Sequence, residues 1–210
     1  MPLLTAFFLG LLSSFGAVLP PGMLNLSVAT CSLEAGRNKA IRYAAGISVV
    51  YFVQTAVAIV GANYLRQNPD ILDLLSWWAI PVLAFLAAYF FFKWWREQHA
   101  DVSVEEQRER DDVVNPFLEG ISRSLLNFLA IPYNFALGSW LMSDGILDVS
   151  VAAKSLFVAG GAAGAMGLLT AYAFGARWID NHAHVLTRHV HLIVGSLFVL
   201  LAGIQTYRML

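Results

Sequence analysis

The sequence predicts an all-α integral membrane protein with six transmembrane helices. Hydrophobic residues make up 58% of the chain and charged residues only 13%, where a soluble domain carries about 25% charged residues. The apolar residues gather into long stretches separated by short charged segments, the pattern a bilayer imposes. The Lys and Arg residues also fall preferentially on alternate connections between those stretches, which fits a chain that crosses a membrane repeatedly.

A hydrocarbon core of about 30 Å needs roughly 20 apolar residues of helix, and six segments meet that length. The first runs from Leu3 to Leu33 and is interrupted at Pro20-Pro21-Gly22. Its N-terminus lacks the basic region of a cleavable signal peptide, so it is expected to be retained as a membrane helix. The second covers Ala40–Leu65 and the third Ile71–Trp95, with Trp77, Trp78, Trp94 and Trp95 bracketing the third as interfacial anchors. The fourth spans Pro116–Met142 with an interruption near Pro132. The fifth covers Val149–Arg177 and the sixth Val185–Tyr207. The segment between residues 96 and 115 is rich in Glu and Asp and reads as a solvated cytoplasmic connector. It divides one membrane domain into a first half, residues 1–95, and a second half, residues 116–210.

The loops after helices one, three and five hold nine basic residues: Arg37, Lys39, Arg42, Lys93, Arg96, Arg108, Arg110, Arg177 and Arg188. The other side holds Arg66, Lys154 and Arg208, with Arg123 inside helix four. The positive-inside rule then places the odd-numbered loops in the cytoplasm and both termini outside.

The halves resemble each other. Phe8-Leu9-Gly10 precedes Pro21 by eleven residues counted from its glycine, and Gly120 precedes Pro132 by twelve. Gly46 and Gly61 correspond to Gly160 and Gly175 at a common offset of 114. Three crossings per half force the copies into opposite orientations, an inverted three-plus-three repeat of the kind that frames midplane substrate sites in secondary transporters. Helices one and four are the broken ones. A proline removes a backbone donor and clashes with the preceding turn. Its freed polar groups must then lie against protein or a polar cavity. Asn25 follows the first break, and Asn127 and Asn134 flank the second. The bland alternative is a pair of kinked helices whose asparagines bridge to neighbours.

These residues resemble the LysE/RhtB-type amino-acid exporter family. The resemblance rests on Gly16, Pro21-Gly22, Gly36-Arg37-Asn38-Lys39 and Gly46 in the first half. In the second half it rests on Gly120 and the run from Ser124 through Asn127 to Pro132-Tyr133. Met23 stands where the second proline of a Pro-Gly-Pro element is usual, and Phe128 stands where proline usually follows asparagine. Tyr51 and Gln54 occupy a region of helix two that is acidic in many members. The resemblance implies an exporter of amino acids or related small metabolites in the bacterial cytoplasmic membrane, driven by an ion gradient, with H+ the expected coupling ion. The expected substrate-binding residues are Pro21, Gly22, Asn25, Asn127, Pro132 and Asn134.

Glu119 and Arg123, spaced i, i+4, share a helix face near the cytoplasmic end of helix four. They are candidates for coupling or gating, and a neutralising ion pair with Arg123 snorkelling to the interface is the alternative. His182, His184, His189 and His191 raise a divalent-metal exporter as a competing function. In a helix, however, His189 and His191 point about 200° apart, and no cysteine or carboxylate cluster completes a ligand set, so no metal site is assigned. A non-transporting membrane subunit is the third class. Gly160 and Gly164 form a GxxxG spacing suited to close packing within the bundle or in a homodimer. The lone Cys31 excludes an internal disulfide or dithiol pair and reads as a small packing residue. A net charge of −1 gives no reason to expect nucleic acid. No nucleotide-binding or hydrolytic motif is present, so neither an enzyme nor a cofactor is expected.

Overall fold

In the computed structural model the described residues are 3–19, 22–68, 115–127 and 130–179, with scattered positions between 71 and 95 and between 195 and 206. They form six helices: α1 Leu3–Val18, α2 Met23–Glu34, α3 Arg37–Gln67, α4 Pro116–Leu126, α5 Ala130–Ser143 and α6 Val151–Phe174. The scattered described positions within 71–95 and 195–206 are also helical. The chain divides into two compact units, residues 1–67 with 113–182 and residues 68–112 with 183–210. Each unit therefore draws on both halves of the sequence, and α1 to α6 all belong to the first.

α3 and α6 are long and apolar enough to cross a membrane singly. The pairs α1–α2 and α4–α5 reach that length only together, and they are bent by 86° and 68°. Two broken segments and two continuous ones therefore match predicted segments one, four, two and five.

Local chemistry explains the boundaries. Gly36, at a φ of 91°, makes the turn between α2 and α3, a left-handed backbone that L side chains rarely adopt. Its carbonyl then accepts from Lys39 and Ala40 N–H to start α3. Asn115 caps α4 by accepting from the Phe117 and Leu118 amides, and Pro116 fills the first helical position, where a missing N–H costs nothing. Ser150 caps α6 through the Ala153 amide.

One boundary departs from expectation. The second break lies at the end of α4, where Asn127 is the C-cap, and α5 has already begun at Ala130. Pro132 is therefore a first-turn residue of α5 and not the break itself. The first helical turn has no intrahelical use for its N–H groups, so proline is tolerated there.

The helices pack by backbone approach at glycine. A Cβ on Gly10 would sit 1.9 Å from the Phe157 carbonyl oxygen, and one on Gly160 would sit 2.0 Å from that of Phe7. The α3–α4 crossing has the same form: a Cβ on Gly46 would meet the Phe117 oxygen at 2.1 Å, and one on Gly120 the Tyr43 oxygen at 2.2 Å. In all four cases the carbonyl met belongs to the residue three before the partner glycine. Gly164, the second half of the GxxxG spacing, lies against Leu11 and Ser14 of α1. That stripe is thus spent inside the bundle. Gly61 lies within α3 whereas Gly175 caps the end of α6, so that matched pair has no shared environment.

Contact register also fixes direction. Arg37 lies over the Phe174 ring, Ser48 reaches Met166, and Tyr51 lies beside Gly161, so α3 and α6 are antiparallel. α1 rises along α6, with Phe7 at Gly160 and Leu11 at Gly164. α4 rises along α3, with Tyr43 at Gly120 and Gln54 at Asn127. α1 and α4 therefore run in opposite directions.

The buried side chains form two main clusters. Ile59, Ala62, Leu141, Leu147 and Phe157 lie toward one end of the bundle. Val28, Cys31, Tyr43, Ile47 and Leu169 lie toward the other. Cys31 is thus the packing residue its size suggests.

Candidate functional site

Each break leaves terminal carbonyls that no helix can satisfy, and in a membrane interior such groups need partners. At the first break the Asn25 side-chain amide donates to the carbonyl of Val18, the last residue of α1. The Tyr172 hydroxyl of α6 donates to Leu19 O at 2.7 Å. At the second break the Gln54 amide of α3 donates to Ser124 O at 3.3 Å and to Asn127 O at 3.1 Å. A side chain from the continuous helix that runs parallel to each broken one thus closes its end.

A second layer of polar groups lies between the two clusters. Asn134 of α5 is fully buried. It donates to Ala130 O at 2.9 Å and faces the Tyr51 hydroxyl at 3.3 Å. Tyr51 and Thr55 of α3 lie over the backbone of Gly161, which also approaches Gly10 O. α1, α3, α5 and α6 meet at this level. Thr55 Oγ1 is buried without a hydrogen bond of ordinary geometry, its polar neighbour being Tyr51 one turn away. The Tyr133 hydroxyl donates to Ser13 O at 2.9 Å and covers Gly16, tying α5 to α1.

The structure separates the expected site residues. Gly22 is the extended N-cap of α2, with its carbonyl accepting from Leu26 N–H. Asn25 is buried at the first break. Asn127 ends α4 with an exposed side chain, and Pro132 is exposed on α5. Only Asn134 joins the inner polar layer. Pro21 lies outside the described residues, as do His182, His184, His189, His191, Trp77, Trp78 and Trp94. Among the described residues no three His, Cys, Asp or Glu side chains are grouped to hold a metal.

Glu119 and Arg123 form an ion pair of 2.7 Å with both side chains partly buried. Arg123 also donates to Ser27 Oγ of α2 at 3.0 Å and lies 5.9 Å over the ring of Tyr43. The guanidinium thus joins α4 to both α2 and α3. Its contact with Ser27 also joins the two broken helix pairs.

Sequence reasoning named Gln54 and Tyr133 without a site role and did not single out Thr55 or Tyr172. The usable signal was the stripe Ser48, Tyr51, Thr55, spaced i, i+3, i+7 inside an otherwise apolar helix, which puts three hydroxyls on one buried face.

A family model for LysE type translocators matches residues 14–207 of this chain. No curated protein and no solved structure gives a significant match.

Proposed function

The chain belongs to the LysE type translocator family, and from that premise we propose that it is a secondary exporter of amino acids or related small metabolites. The family is one of membrane translocators, so the protein carries a solute across a membrane and is not an enzyme. The proposal adds the cargo, the direction of transport, the bacterial cytoplasmic membrane as its place and H+ as the coupling ion.

The observation that supports it is the pair of oppositely directed broken helices, each closed by a donor from its parallel neighbour. Two inverted three-helix repeats, residues 1–95 and 116–210, linked by the cytoplasmic segment 96–115, account for that pairing. They also account for the reciprocal glycine crossings, since Gly10 and Gly120 then hold equivalent places, as do Gly46 and Gly160. In such a repeat the site lies at the interface of the two copies. Gly22, Asn25, Asn127 and Asn134 are its proposed frame, with Pro21 at the first break and Pro132 in the first turn of α5 beside the second. Amides at the breaks suit a carboxylate, and free carbonyls suit an ammonium group.

The starts of α3 and α4 and the end of α6 lie on one side, beside Arg37, Arg42 and Arg123. Placing that side in the cytoplasm satisfies the positive-inside rule. Glu119 is the proposed proton carrier, with Arg123 as its partner in gating.

The test is transport in proteoliposomes containing the purified protein. Counterflow of at least one amino acid, and uphill flux when a pH gradient is imposed, are expected. Glu119→Gln should keep downhill exchange and lose uphill flux; unchanged uphill flux removes Glu119 from coupling. Absence of flux for every small metabolite, with Zn, Ni or Co carried instead, overturns the cargo.

A further inference from the structure

The spans of this chain are almost free of charge. Residues 3–33, 43–65, 74–92, 155–176 and 192–207 contain no Lys, Arg, Asp or Glu, and residues 116–142 contain only Glu119 and Arg123. Those two neutralise each other. Their partner Tyr43 stands eight residues from Tyr51 along α3, about 12 Å of helix rise away.

Midway between Arg42 and Arg66, the flanking charges of α3, the polar layer of Tyr51, Thr55 and Asn134 falls at the depth of the bilayer centre. Its groups are hydroxyls and an amide, all electrically neutral. They are also incompletely matched: the Tyr51–Asn134 contact is long at 3.3 Å, and Thr55 Oγ1 is fully buried without a bond of ordinary geometry. A buried donor and acceptor left in this condition costs stability, and a bound polar molecule removes that cost.

On the transport reading, we infer that Tyr51, Thr55 and Asn134 form the cargo site and that it takes net-neutral polar solutes, such as zwitterionic amino acids with uncharged side chains. A cationic or anionic amino acid, or a divalent metal, brings to this layer a net charge with no counter-charge. Transfer of one unpaired charge to the centre of a membrane costs enough to reduce transport roughly 100-fold. A zwitterion closes its own charge balance and offers donors and acceptors at both ends. Thr55, which lies over Gly161 of α6, donates to or accepts from the solute when α6 draws back from α3.

The deciding experiment is counterflow by the full chain in proteoliposomes with a fixed panel: threonine, glutamine and alanine, against lysine, glutamate and Zn. Exchange is expected for one or more of the first three, with kcat/KM for lysine, glutamate and Zn lower by roughly 100-fold. Thr55→Val preserves shape and is expected to raise KM about fivefold, the worth of one neutral hydrogen bond, with melting temperature unchanged or higher. Lysine, glutamate or Zn carried as efficiently as the best neutral solute overturns the inference and leaves the transporter reading standing. Neutral exchange with an unaltered KM in Thr55→Val overturns the place of the site. Exchange of nothing in the panel overturns the amino-acid exporter reading, and the inference with it.

Discussion

Gly46→Ala offers the most direct test of the close helix crossings. The new Cβ would lie 2.1 Å from the carbonyl oxygen of Phe117, and 3.0 Å from the amide nitrogen of Ile121. Ordinary contact begins near 3.4 Å, so α3 and α4 must separate by roughly 1 Å, and neither neighbour is a flexible side chain that could turn away. Overpacking of this kind costs about 1–3 kcal/mol and occasionally more. In a chain of this size that lowers the melting temperature by roughly 2–12 °C. The shift also pulls Ser124 and Asn127 away from Gln54, which sits two turns along the same crossing, so transport should fall along with stability. Thermal unfolding of purified protein in detergent reads the first effect and counterflow the second. Gly167→Ala is the control: it lies on α6, where nothing stands within 4 Å of its Cβ position, and alanine there should be neutral or slightly stabilising. Equal melting temperatures for Gly46→Ala and Gly167→Ala would refute the close crossing. Gly120→Ala should match Gly46→Ala, and the double variant should cost less than the sum because one separation of the two helices accommodates both.

Gln54→Leu removes the donor to Ser124 O and Asn127 O and should lower stability by about 1–2 kcal/mol in detergent unfolding; parent-like melting would show that those carbonyls find other partners. Pro132→Ala should change the melting temperature by less than about 2 °C and leave KM unaltered, since the break precedes it; loss of transport would return the proline to the site. Asp148, in the connection before α6, accepts from the Ser150 backbone amide at 2.7 Å, and that bond, with the Ser150 hydroxyl, holds its carboxyl below the usual range. Its contribution to stability is therefore present above the ordinary aspartate value of about 3.9 and is lost as pH falls through the lower folded value. Asp148→Asn should melt slightly below the parent by a constant margin between about pH 5 and 8, the gap closing below about pH 4; a margin that varied between pH 5 and 8 would assign the pH response of this region to another group.

The sequence reveals long-range features in proportion to how locally they are caused. The ends of the continuous helices were readable to within a few residues because charge and capping residues act in place, as at Arg37 and Gln67. The first break was readable because Pro20, Pro21 and Gly22 each disfavour helix continuation. The second was displaced by a few residues, since a single proline marks the start of a helix as readily as its interruption, as Pro116 does for α4. The packing glycines were visible as residues, and Gly46 and Gly160 as a matched pair. Their true partners, Gly120 and Gly10, are 74 and 150 residues away in the chain, beyond any local pattern. The caps were hidden for the same reason. Gln54 and Tyr172 look like isolated polar residues until the broken helices beside them supply the carbonyls they serve.

That hidden layer bears on how a translocator of this kind can move at all. A continuous helix carries its hydrogen bonds within itself, so it can slide or tilt without exposing a backbone group. A broken one cannot. Its end carbonyls depend on Tyr172 in one case and Gln54 in the other, and in both the donor belongs to the helix that the broken one crosses at glycine. Movement between those partners would strip the caps, whereas movement of the two partnered sets against each other keeps them. With α2 carried by α1 and α5 by α4, contacts of a different kind join the sets, among them the Arg123–Ser27 and Tyr133–Ser13 hydrogen bonds and the long Ser48–Met166 contact. Each is a side-chain bond worth about 1 kcal/mol or less in a membrane setting. Pairs α1–α6 and α3–α4, locked by backbone approach, are therefore the natural rigid bodies. The seam between them is where a polar solute can compete for hydrogen bonds, and that seam passes through Thr55.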